Sequence, residues 1–194
     1  MMKRIIGLLL ILGVIILAML LINSIKEPIM FNNVKSNREI TVIKRLKDVR
    51  TAQEIYRDIT GQFAPSFDTL ETVLKNGRVP VYKAVQDPNN PDDPEAIIYD
   101  TSYYRAIDTI RALGLNLDSL RLVPYGKGKE FEVFADTIEY QKTKVPVVEV
   151  TTYYKVFMGK YADPRFAKTN SSFDPDAPLK FGDRTKPSTS GNWE

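Results

Sequence analysis

The chain has no cysteine and no histidine in its 194 residues. Those two absences remove disulfide bonds, thiolate nucleophiles, Cys/His zinc sites, haem ligation by imidazole, and every Ser-His or Cys-His catalytic arrangement. A phosphate-binding loop is missing too. Gly126-Lys127-Gly128-Lys129 has neither the spacing nor the strand-to-helix setting of one, and reads as a turn. An excess of one charge is also lacking. The formal net charge is +3, but Lys3 and Arg4 precede the first apolar run; from Asn23 onward 25 basic residues face 24 acidic ones. Lys and Arg alternate with Asp and Glu throughout, the pattern of a solvated surface rather than a nucleic-acid interface, and no nucleic-acid partner is expected.

What is present begins with Ile5–Ile22, an 18-residue run without charge or proline. As a helix it would span about 27 Å, close to the ~30 Å hydrocarbon core of a bilayer. The run is longer than the ~7–15 apolar residues usual in a cleaved signal, and Leu21-Ile22-Asn23-Ser24 offers no small-x-small cleavage site. A retained transmembrane helix is therefore expected, with residues 1–4 as a cytoplasmic stub. The domain then lies on the far side, in the periplasm of a bacterial inner membrane.

Residues 23–36 read as a juxtamembrane linker in which Pro28 interrupts the helix. From Asn37 to about Ile59 an amphipathic helix is predicted, its apolar stripe running through Val42, Leu46, Val49, Gln53 and Tyr56 at steps of four and three. A short helix capped by Ser66 carries Leu70, Val73 and Leu74 inward and stops at Asn76-Gly77. Val79–Val85 reads as a short strand and Tyr103–Leu113 as a short helix. Phe131–Phe134, Thr137–Tyr140 and Val145–Tyr154 follow as an antiparallel meander. The fold class is thus α+β, with an extracytoplasmic domain over residues 37–160. Residues 161–194, rich in Pro, Ser and Thr, are expected to be disordered or to lie extended across the domain.

The phrase Leu46–Leu74 resembles type IV pilins and type II secretion pseudopilins. Arg50-Thr51-Ala52, Tyr56, Gly61-Gln62-Phe63 and Leu70 occupy the places of that family's helix-ending motif, with Pro65 two places after Phe63 where the family usually has proline immediately after the aromatic. The resemblance implies a membrane helix, a kink at proline, an amphipathic continuation and then a sheet. Gly7, however, is followed by Leu8-Leu9-Leu10-Ile11-Leu12, without the acid that follows the prepilin cleavage site. Processing at Gly7 is not expected.

Carboxylates are the remaining chemistry. Asp87, Asn89, Asp92 and Asp93 sit in a proline-interrupted loop as a weak Ca²⁺ candidate; a solvated acidic loop is the competing reading, since the EF-hand order is absent. No catalytic residue and no cofactor is expected. Tyr103-Tyr104 and Tyr153-Tyr154 suggest a binding surface, but strand neighbours face opposite sides, so one of Tyr153 and Tyr154 should be core. The leading expectation is a non-catalytic structural or assembly subunit of a secretion- or pilus-like envelope machine. Its partners would be the membrane and envelope proteins, self-association included, and Val42, Leu46, Val49 and Tyr56 would form the interaction face. The alternative is a membrane-tethered module that binds a ligand, an envelope polymer or a partner protein.

Overall fold

The computed structural model describes residues 2–86, 97–168 and 173–194. The architecture is α+β: one long N-terminal helix followed by two small antiparallel sheets with short helices between them.

Helix α1 runs from Met2 to Thr60. It passes without a break through residues 23–36 and through Pro28, where the sequence predicts a linker and an interruption. Proline removes one donor, so the bond to the Ser24 carbonyl is the main loss. Three residues later Phe31 is fully buried, stacked on Phe166 and edge-on to Phe173, each at 4.9 Å between ring centroids. That packing holds the helix on the C-terminal side of the proline. The large apolar side chains between Ile5 and Ile22 are exposed around the whole circumference, and the segment has the length and composition to cross a membrane.

The second half of α1 is covered. Val42, Leu46, Val49 and Ala52 are buried in one core with Leu70, Leu74, Ile110, Val150, Phe157 and Phe181. Gly61, at φ +77°, ends the helix in the left-handed conformation that glycine adopts without penalty. Helix α2 (Phe67–Asn76) starts as expected at Ser66, whose Oγ accepts from the Thr69 N–H at 3.2 Å.

Strands β1 (Arg78–Gln86) and β2 (Ile97–Arg105) form a two-stranded ribbon. Helices α3 (Ala106–Ala112) and α4 (Leu117–Leu120) follow. The helix expected over 103–113 begins only at Ala106, because Tyr103, Tyr104 and Arg105 pair with Pro80, Val79 and Arg78. Strand β3 (Glu132–Tyr140) is continuous where a break at Ala135-Asp136 is predicted, since both residues stay in register with Val148 and Val147 of β4 (Thr143–Tyr153).

The C-terminal segment is ordered on the domain in its described residues. Helix α5 (Tyr154–Met158) leads into 3-10 helices over Gly159–Ala162 and Pro164–Lys168. Strand β5 (Pro178–Gly182) then adds to β4, giving the order β3-β4-β5. Phe166, Phe173 and Phe181 are buried and Trp193 packs against the core, so the aromatics scattered along this stretch anchor it.

Candidate functional site

Core burial decides first what is not a docking surface. Val42, Leu46 and Val49 are fully buried and Tyr56 nearly so, covered by the rest of this chain. They were expected to form an interaction face; they build the domain core instead. The reason is that α2, β1, α5 and β5 of the same chain supply the apolar cover, so the stripe packs on its own domain and not on a partner helix. Asp87, Asn89, Asp92 and Asp93 lie outside the described residues. Among the described residues no group of three or more Asp or Glu is placed to hold a metal ion.

Beyond the apolar half of α1, a cluster of exposed apolar and aromatic side chains lies on the β1–β2 ribbon. Its register places Pro80, Tyr82 and Ala84 opposite Tyr103, Thr101 and Tyr99 on one face; Val79, Val81, Lys83 and Val85 oppose Tyr104, Ser102, Asp100 and Ile98 on the other. Tyr99 is 74% exposed, Tyr82 67% and Tyr103 63%. The base is tied to the domain body. Val79 packs on the core and the Ala106 N–H donates to the Gly77 carbonyl at 3.0 Å. There Arg105 Nε and Nη2 donate to the two Asp108 oxygens at 2.8 and 2.9 Å. Those bonds hold the Asp108 carboxyl below the ordinary carboxylate range.

A two-stranded ribbon is marginal in water on its own, and its outer edges present unpaired backbone donors and acceptors. Tyrosine supplies a large rigid contact with a polar tip. Among the described residues neither edge of the ribbon is paired with a third strand. The arrangement is suited to holding another polypeptide, by strand addition at an edge or by contact across the tyrosine face.

The tyrosine pairs divide. Tyr103 and Tyr104 stand exposed on opposite ribbon faces, while Tyr154 packs on Phe157 and Phe173 and donates from its hydroxyl to Glu39 Oε1 at 2.7 Å. Burial and that bond push the Tyr154 phenol far above its ordinary value. Tyr82 and Tyr99 were not singled out in the sequence; their spacing to the other strand is invisible until the register is known.

The helices and sheets thus define a small α+β domain carried on one long, half-exposed helix. Comparisons with protein-family models, curated proteins and solved structures give no match.

Proposed function

We propose that this chain is a single-pass, membrane-anchored structural or assembly subunit of a bacterial envelope machine, non-catalytic, with its domain in the periplasm. The observation that carries this reading is the β1–β2 ribbon, which exposes Tyr82, Tyr99 and Tyr103 on one face, while the domain body buries the apolar stripe of α1 and the C-terminal phenylalanines in one core. An apolar patch left open on an otherwise packed domain marks an interaction site. Further support comes from α1, in which an exposed apolar half precedes a buried amphipathic half, the order of elements in the pilin resemblance, here without the kink expected at Pro28.

Photocrosslinking from position 99 in native membranes tests it. A ladder of self-adducts or adducts with several envelope proteins is the expected result. A single discrete adduct would favour the tethered binding module, and no protein adduct would overturn both.

A further inference from the structure

Four residues beyond Ile22 the chain reaches Lys26, about 6 Å further along the helix axis. If α1 crosses a bilayer through Ile5–Ile22, that distance puts Lys26 in the headgroup layer, which occupies several Å on each side of the hydrocarbon core. At this level a groove of about 440 Å³ opens between α1 and the 3-10 helices, with Lys26, Lys160 and Arg165 among its lining. Its inner wall is fixed: Phe31, Tyr161 and Phe166 pack ring on ring, with centroids 4.9 to 6.2 Å apart.

The charges in the groove are unevenly used. Arg165 faces both nearby acids, Glu27 at 3.3 Å and Asp163 at 3.8 Å. Lys160 lies over the Tyr161 ring at 5.0 Å and has no acidic partner among the described residues. Lys26 likewise has none. Two ammonium groups are therefore left to face an anion, in a concave site beside the start of the domain at Lys26, with Met30 providing an apolar flank.

We propose that this groove binds the phosphate of an anionic phospholipid headgroup in the leaflet from which α1 emerges, through Lys26 and Lys160. The proposal rests on the reading of α1 as a membrane anchor. Ammonium groups bind phosphate as compact point charges, and each basic residue at an anionic surface strengthens binding by roughly fivefold.

The full chain is reconstituted in nanodiscs of phosphatidylcholine with a graded fraction of phosphatidylglycerol, and retained lipid is read by native mass spectrometry. Phosphatidylglycerol should be retained on the order of tenfold over its share of the bilayer. The variant K26Q/K160Q should lose that preference, and K26R/K160R should keep it. Both positions are exposed, so the thermal transition of each variant should match that of the parent. Insertion without lipid preference, or a preference that survives K26Q/K160Q, would overturn the headgroup site and leave the anchor standing. Displacement of the lipid by millimolar inorganic phosphate would show a free-anion site and overturn the lipid assignment. A chain that does not insert would overturn the anchor and the headgroup site together.

Discussion

Among the described residues Glu149 is the charged residue with a buried side chain. It is buried on β4, yet Lys180 Nζ and Arg184 Nε donate to its two oxygens at 2.5 and 2.7 Å. Burial alone would raise its pKa; the two hydrogen-bonded cations outweigh it and hold the carboxyl below its ordinary value of 4.5. A depressed folded-state pKa stabilises the fold above pH 4.5, and that contribution disappears as pH falls through the folded value. Glu149→Gln should therefore be less stable than the parent at neutral pH, with the gap closing below about pH 4.5, as read by urea melts across the pH range. Thr152 makes the opposite case. Its buried hydroxyl has no hydrogen-bond partner among the described residues, so Thr152→Val, which keeps the shape, should be neutral or raise stability by up to about 1 kcal/mol. Gly182 tolerates nothing larger. It sits at φ +82° and a Cβ would fall 1.9 Å from the Val148 carbonyl oxygen, so Gly182→Ala should detach β5 or unfold the sheet. None of these environments was legible in the sequence, because each is made by pairing β4 with a C-terminal segment distant along the chain.

At the scale of elements, legibility followed periodicity. The stripe through Val42, Leu46 and Val49 repeats at helical spacing, and all three side chains are buried. Leu46→Asp should accordingly cost several kcal/mol in thermal or denaturant melts, whereas exposed Lys47→Asp should cost under about 0.5 kcal/mol. Gln53, in the same stripe, does more than fill space. Its Nε2 donates to the Ala64 carbonyl at 3.1 Å and its Oε1 accepts from the Ala64 N–H at 2.9 Å, pinning the loop after Gly61 against α1. Strand β2 was missed for an equally physical reason: both faces are exposed and both carry tyrosine or isoleucine, so no alternation of apolar and polar residues marks it. Strand β5 was missed because its partner, β4, is distant in sequence and the surrounding Pro, Ser and Asp read as tail. The β3–β4 hairpin turns on Gln141 and Lys142 at φ 49° and 65°. Two positive φ values in a two-residue loop make a type I′ turn, which Asn-Gly adopts far more readily. Replacing Gln141-Lys142 with Asn-Gly should stabilise the sheet by about 1 kcal/mol, measurable as a rise in the melting temperature.

At the scale of the whole molecule, α1 joins a candidate membrane span to the domain core as one unbroken helix. The height of the domain above a bilayer is therefore set by how much of the helix the bilayer takes up. Ile5–Ile22 supplies about 27 Å, which nearly fills a ~30 Å core and leaves Lys26 and the charged groove at its surface. Cleavage at Gly7 would leave Leu8–Ile22, about 22 Å of apolar helix, and would remove Lys3 and Arg4 from the opposite interface. The shortened span would draw Lys26 and Glu27 toward hydrocarbon, where a charged side chain is expensive. A processed pilin escapes this because neighbouring subunits surround its helix and pair with the acid after the cut; here Leu12 stands where that acid would be. The protein should thus remain in the carbonate-washed membrane fraction as a chain that retains Lys3 and Arg4, as determined by intact-mass measurement. A mature chain beginning at Leu8, above all one with a methylated N-terminus, would make it a true pilin and overturn this topology. A soluble form beginning near Ser24 would show that Ile5–Ile22 is a cleaved signal and that the domain works free of the bilayer.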